Sequence, residues 1–190
     1  MNRALFLLCA AVLAAASVHA TPPDAMPGDP WAKKTENGIV MLEWDDLIPP
    51  DFDPDKLIAD RMAQYDLSEL DDADPRAQQL LKEVQEVWSQ APVVEVLDGR
   101  RVKLPGFVVP LEGDGEKVSE FLLVPYFGAC IHSPPPPSNQ IIYVRAGAAG
   151  GKVRRLFDTV WVVGRLSAEY QANDIGSAGY TLDAERIDPY

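Results

Sequence analysis

The sequence predicts a mainly β protein: a small antiparallel, OB-like barrel, packed by an acidic and partly helical N-terminal extension. Residues 92–190 contain five or six short, apolar, β-branched runs that turns separate and no helical pattern interrupts, which is typical of a small barrel. Residues 39–91 instead contain two helix starts and most of the net negative charge. A small β-sandwich is the alternative architecture.

The first residues have the pattern of a secretory signal peptide. A basic residue, Arg3, precedes a short apolar run, and small residues occupy the positions that predict cleavage after Ala20. The run is shorter than the roughly 20 apolar residues that a membrane-spanning helix requires. We therefore expect a soluble periplasmic protein that does not span the membrane. Its mature chain would begin with a flexible, proline-rich lead-in over residues 21–38.

Two Asp-Pro pairs predict the starts of two helices. Asp53 and Asp74 are suited to the N-cap, and each is followed by a proline at the first helical position. The first helix is expected to extend to about Gln64 and the second to near Gln90. In the second helix apolar side chains recur at three- and four-residue spacing: Leu80, Leu81, Val84, Val87 and Trp88.

After Pro92 the apolar pattern changes to that of strands. Residues 93–97 and 102–109 flank Asp98-Gly99, a dipeptide that favours the type I′ turn of a hairpin. Gly164 is expected to mark a β-bulge. Further strands are predicted at residues 121–124, 141–144, 159–166 and 180–185.

The candidate site is a short segment between two predicted strands. Removal of the leader leaves one cysteine, Cys130, and one histidine, His132, which stand two residues apart and just before the prolines 134–137. The prolines favour a stiff polyproline II segment. In an extended chain alternate side chains project from the same face, so the thiol and the imidazole would lie side by side.

Three interpretations of this pair remain open. Cys130 can pack as a small hydrophobic residue while His132 bonds to a backbone carbonyl. The pair can supply two ligands of a Zn²⁺ or copper site, with further ligands from water, a partner or carboxylates such as Glu112, Asp114 or the acids of residues 43–74. Cys130 can also act as a nucleophile with His132 as its base.

Three neighbours are candidates for a supporting or ligand-binding role. Asn139 and Gln140 follow the prolines, where their amides can either cap the loop or orient His132 or a bound ligand. Tyr126 is a further candidate, with a place in the core as the alternative.

The charge distribution excludes one class of partner. Residues 21–90 contain 17 acidic and 6 basic side chains, and the whole chain has a formal net charge of −12. An acidic chain of this kind repels phosphate backbones, so nucleic-acid binding is not expected.

Four stretches of the chain carry a family resemblance: residues 44–47, 104–112, 121–126 and 128–140. Through them the sequence resembles a family of secreted bacterial proteins known as domain of unknown function 3299. The resemblance implies a periplasmic or lipid-anchored location and an association with ABC-type export or metal-uptake systems. We therefore expect a periplasmic accessory protein that binds or transfers a transition metal, Zn²⁺, for an envelope transporter. A structural adaptor that docks a protein through the polyproline loop is the alternative, and a thiol-dependent enzyme is the third.

Overall fold

The structure of the protein, a computed structural model, describes residues 29–65, 74–113, 118–129, 135–152, 156, 158–173 and 175–190. Its class is mainly β, as predicted. Two α-helices lie in these ranges: α1 (Pro54–Met62) and α2 (Pro75–Ser89). The strands are β1 (Thr35–Glu36), β2 (Ile39–Met41), β3 (Arg101–Gly113), β4 (Val118–Val124), β5 (Ile142–Arg145), β6 (Thr159–Ser167), β7 (Gln171–Ala172), β8 (Ser177–Ala178) and β9 (Tyr180–Pro189).

Five of these strands close into a barrel, which confirms the predicted architecture. Their order is β3-β4-β5-β9-β6, and β6 pairs back onto β3. Strand β3 is long enough for its first half to pair with β6 and its second half with β4. The pairings are antiparallel except β5–β9, which is parallel. One parallel pair is unavoidable, because an odd number of strands cannot alternate in direction all the way round a closed ring.

The interior of the barrel is a continuous apolar core. Alternate side chains of each strand point inward, which is the two-residue period expected of a strand with one face buried. The bulge predicted at Gly164 is confirmed by a register shift between Val163 and Gly164. A Cβ atom at Gly164 would lie 2.2 Å from the carbonyl oxygen of Asp183, so β6 and β9 can approach each other here only at a glycine. Core residues include Leu104, Val108, Phe121, Leu123, Ile142, Val144, Val162, Leu166, Tyr180 and Leu182.

The strand predicted over residues 93–97 is wrong. Glu95–Leu97 forms a turn of 3₁₀ helix, and the side chain of Leu97 is fully buried in the core. The first half of β3 already has β2 on one side and β6 on the other. Because both of its edges are taken, no edge is left with which residues 93–97 could pair.

The prediction of a flexible lead-in over residues 21–38 is also wrong for its described part. Trp31 is only 8% exposed and belongs to the core cluster. Asp29 accepts a hydrogen bond of 2.6 Å from Arg100, and β1 and β2 form a hairpin around Asn37 and Gly38, both of which have positive φ. Strand β2 pairs in parallel with β3 at the edge of the barrel. We call residues 29–47, which include this strand, the N-terminal strap.

The two predicted helices are present, with the predicted caps. Asp53 accepts a hydrogen bond from the backbone N–H of Lys56, and Asp74 accepts one from that of Arg76. Neither helix contains a fully buried residue. Both are too short and polar to cross a bilayer, and the same holds for every helix within the described ranges.

Candidate functional site

The candidate segment lies between β4 and β5 in the sequence. Cys130 and His132 lie outside the described residues, so their predicted convergence stays a prediction. The residues on either side of them are described. They form two anchors, one ending at Ala129 and one beginning at Pro135.

The first anchor is a turn that presses Ala129 onto the outer face of the sheet. Gly128 has a φ of 86°, a left-handed conformation that a residue with a side chain rarely adopts. The N–H of Ala129 donates to the carbonyl of Tyr126, and the side chain of Ala129 is buried. It belongs to a second apolar cluster, outside the barrel, with Val109, Leu122, Val124, Ile141 and Ala178.

Two exposed rings stand beside this turn. Phe127 is 70% exposed and makes an edge-to-face contact with Phe107, with ring centroids 6.3 Å apart. Tyr126, a predicted candidate for ligand binding, is 54% exposed. Neither ring lies in the barrel core. The alternative that the sequence left open for Tyr126, a place in the core, is therefore wrong.

The second anchor is the end of the proline segment. Pro137 has φ −54° and ψ 148°, close to polyproline II values, in agreement with the predicted conformation. Pro136 is buried, and so are the next two polar residues, Ser138 and Asn139. The chain is therefore held in place at Ala129, before the segment, and at Pro136, after it.

The two amide side chains predicted to support the site have different surroundings. The Nε2 atom of Gln140 donates to the carbonyls of Trp44 and Asn139, at 2.9 and 3.2 Å. The bond to Trp44 joins the end of the loop to the N-terminal strap, which is the kind of contact that the capping interpretation predicts. The Nδ2 atom of Asn139 donates to the carbonyl of Pro92 at 2.9 Å.

The Oδ1 atom of Asn139 is the unusual atom of this region. Asn139 is 1% exposed, and Oδ1 has no hydrogen-bond donor within reach among the described residues. A buried acceptor without a donor costs about 1–3 kcal/mol. The amide cannot be turned round to relieve this, because the carbonyl of Pro92 requires the nitrogen. Asn139 therefore offers a fixed acceptor to whatever donor comes next to it.

The carboxylates proposed as further metal ligands are only partly described. Asp114 and the side chain of Glu112 lie outside the described part of the structure. Several acids of residues 43–74 already have cationic partners: Lys34 contacts Asp46, and Lys56 contacts Asp60. Within the described ranges no three Cys, His, Asp or Glu side chains converge as a metal site would require.

Sequence reasoning missed Ser138. It has no exposed surface, and its hydroxyl lies 3.3 Å from the carbonyl of Ala91, to which it donates. Together with Asn139 it fastens the end of the proline segment to residues 91–92. The signal was present, since two polar residues directly before an apolar strand are often buried with backbone partners.

Comparison with known proteins gives a family but no activity. The sequence model of the family DUF3299, described as a protein of unknown function, matches residues 44–189. The fold is similar to the crystal structure of a DUF3299 family protein from Pseudomonas aeruginosa PAO1, with a TM-score of 0.60 and 38% sequence identity. That match covers 80% of this chain and 96% of the other. No curated protein matches the chain.

Proposed function

The chain belongs to the DUF3299 family, and we propose that it is a periplasmic accessory protein that binds a transition metal, Zn²⁺. Cys130 and His132 would be its ligands from this chain, and an ABC-type envelope transporter would receive the metal. The signal-like leader and the implied association of similar secreted proteins with such transporters support the location and the partner.

One observation carries the proposal, namely the unsatisfied acceptor of Asn139. A histidine that binds a metal through one ring nitrogen almost always donates its other N–H to a carboxylate or carbonyl oxygen. Such a bond fixes the ring and increases its basicity. Asn139 Oδ1 is a buried carbonyl-type acceptor, held by the bond from Nδ2 to Pro92 and placed seven residues after His132. It is therefore suited to receive the N–H of that imidazole.

The number of ligands favours transfer over storage. A cysteine and a histidine fill two positions of a tetrahedral Zn²⁺ site and leave two for water, a carboxylate or a partner. Open positions let a second protein bind the metal before the first releases it. The two anchors at Ala129 and Pro136 keep the ends of the segment fixed on the barrel while such an exchange takes place.

The direct test is the metal content of the mature protein purified from the periplasm. We expect Zn²⁺ at up to one equivalent in the wild type, and its loss in Cys130→Ser and in His132→Ala. A thermal melt of each variant shows whether the barrel is intact. Wild-type protein that takes up no Zn²⁺ even when the metal is supplied would refute the proposal.

A matched pair of variants tests the role of Asn139. Asn139→Ala and Ser138→Ala each remove one bond to the carbonyls of residues 91–92, but only the first removes the spare acceptor. We expect Asn139→Ala to weaken Zn²⁺ binding about 10- to 100-fold and Ser138→Ala to leave it nearly unchanged. Equal effects of the two substitutions would mean that Asn139 acts on the loop alone.

The exposed rings favour the adaptor as a second candidate. Phe127 and Tyr126 stand directly before Cys130, and large exposed aromatic side chains are common at protein–protein contacts. The buried Pro136 gives less support to docking through the prolines themselves. An adaptor would lose its partner in Phe127→Ala and keep it in Cys130→Ser, whereas a metal carrier would lose transfer in Cys130→Ser.

A further inference from the structure

A cavity of about 490 Å³ opens on the other side of the segment that Ser138 and Asn139 hold. We call it the Tyr170 cavity. Its walls come from the stretch after α2, from the loop after β6 and from the residue before β9. Its volume is within the range of small-ligand sites. The residues that line it include Ala91, Pro92, Val93, Glu95, Ala168, Tyr170 and Gly179.

The walls of the Tyr170 cavity are fixed by hydrogen bonds. The carbonyls of Ala91 and Pro92 accept from Ser138 and Asn139. The N–H of Val94 donates to the hydroxyl of Tyr180, which itself donates to the carbonyl of Leu47. On the opposite wall the N–H of Ala168 donates to a carboxylate oxygen of Asp98 at 2.9 Å. The backbone of both walls is therefore held in place before a ligand binds, which lowers the cost of ordering the site.

The lining is mostly apolar. Pro92, Val93 and Ala168 present hydrocarbon, and Glu95 is the one charged residue among the described residues of the lining. Its carboxylate makes no ion pair with any residue in the described part of the chain. Tyr170, whose side chain is 51% exposed, places an aromatic ring in the same lining.

Glu95 affects its surroundings electrostatically. Burial raises the pKa of Tyr180 to about 12, and the negative charge of Glu95 adds to the rise. Asp98 and Glu169 add further negative charge next to the walls, although Arg145 lies 3.8 Å from Glu169. Among the residues that the structure describes, neither Lys nor Arg lines the cavity.

We propose that the Tyr170 cavity binds an alkyl cation, that is, a short hydrocarbon chain that ends in an ammonium or guanidinium group. The chain lies against Pro92 and Val93, and the cationic end lies between Glu95 and the face of Tyr170. An aromatic face attracts a cation, and a lysine or arginine stem buries well on hydrocarbon. The proposal does not depend on metal binding by Cys130 and His132.

The test is a titration of the ¹⁵N-labelled mature protein, followed by NMR. The probes are n-butylammonium, 1-butanol and butyrate, which have nearly the same chain and differ in charge. We expect n-butylammonium to shift the amide signals of Val93, Glu95, Tyr170 and Gly179 saturably. The alcohol should bind about ten-fold more weakly and butyrate not measurably. Equal binding of the three probes, or no saturable shift with the ammonium ion, would overturn the proposal.

Variants locate the cation. Glu95→Gln and Tyr170→Leu should each weaken binding of n-butylammonium about two- to five-fold. Glu36→Gln, at an exposed acid on β1, is the matched control and should change nothing. Wild-type affinity in both cavity variants would show that the ion binds elsewhere.

The source of the cation is tested with a blocked peptide, acetyl-Gly-Lys-Gly-amide, and its Nε-acetyl-lysine counterpart. Tighter binding of the charged peptide than of n-butylammonium would identify a basic segment of a partner protein. Binding of the small amine alone would identify a free amine. Measurable binding of both peptides with equal affinity would contradict the proposal.

Discussion

The barrel with its N-terminal strap and the α1–α2 pair differ in how far they bury their side chains. The barrel buries large side chains completely, among them Leu104, Phe121 and Tyr180. The helices have good caps but no fully buried residue. The side chains of Arg61, in α1, and Tyr65, just after it, contact Glu83 of α2. Capping can start a helix, but most of its stability in a protein comes from packing. The stability of this protein therefore lies in the barrel.

The largest expected effect is the difference in unfolding free energy between a substitution in the barrel and a matched one in the helices. Leu104→Ala empties a fully buried position of β3 and should lower the free energy of unfolding by about 2–5 kcal/mol. Leu81→Ala, at a position of α2 that is 46% exposed, should change it by less than about 0.5 kcal/mol. Urea denaturation of both variants measures the difference. Equal losses would mean that the helices are part of the core.

The second prediction concerns the closure of the barrel. A methyl group at position 164 meets the backbone of β9, whereas one at Gly176 meets only the end of Ile141 at an ordinary 3.5 Å. Gly164→Ala should cost about 3 kcal/mol and Gly176→Ala close to nothing. A mild Gly164→Ala would show that β6 and β9 can separate at the bulge without loss. Thermal or urea unfolding of the two variants decides this.

A third, smaller effect tests the bonds between the barrel and the residues before it. Tyr180→Phe removes the hydroxyl that accepts from Val94 and donates to Leu47, and it leaves both backbone groups without that partner. We expect a loss of about 1–3 kcal/mol. In the same variant the amide of Val94 should exchange with solvent faster, whereas those of α2 should not. Unchanged exchange at Val94 would contradict this.

The smallest effect concerns the strap and depends on pH. The hydrogen bond from Arg100 lowers the pKa of Asp29, so this carboxyl group holds its proton less tightly in the folded than in the unfolded protein. Its contribution is complete above the unfolded pKa of about 4 and is lost as pH falls through the lower, folded value. Asp29→Asn should therefore cost about 1 kcal/mol at neutral pH and progressively less below pH 4. Unfolding curves at pH 7 and pH 3 measure this.

The sequence was most informative where local physics determines the structure. Asp53 and Asp74 start helices through local capping bonds. Gly164 lies at a bulge where the backbone of β9 comes too close for a side chain. It failed at residues 93–97, whose apolar pattern fits a strand, because β3 had no free edge to offer them. It failed also at Trp31, since prolines and glycines around it predict a loop, and only the tertiary fold shows a place for its ring.

A candidate segment could be identified from the sequence, but its surroundings could not. A cysteine and a histidine beside four prolines indicate the segment, because residue type and spacing are visible in the chain. The supporting bond of Asn139 to Pro92 joins residues 47 positions apart, and the free Oδ1 atom depends on how that bond orients the amide. The Tyr170 cavity likewise combines three distant segments, none of which has a pattern that indicates a ligand.

The most direct test of the account is the coordination of the metal itself. X-ray absorption at the zinc edge of the loaded mature protein should show one sulfur at about 2.3 Å and at least one nitrogen at about 2.0–2.1 Å. In Asn139→Ala the same ligands should remain with a weaker affinity. A shell of oxygen and nitrogen alone in the wild type, with no sulfur, would show that Cys130 does not bind the metal and would contradict the proposed function.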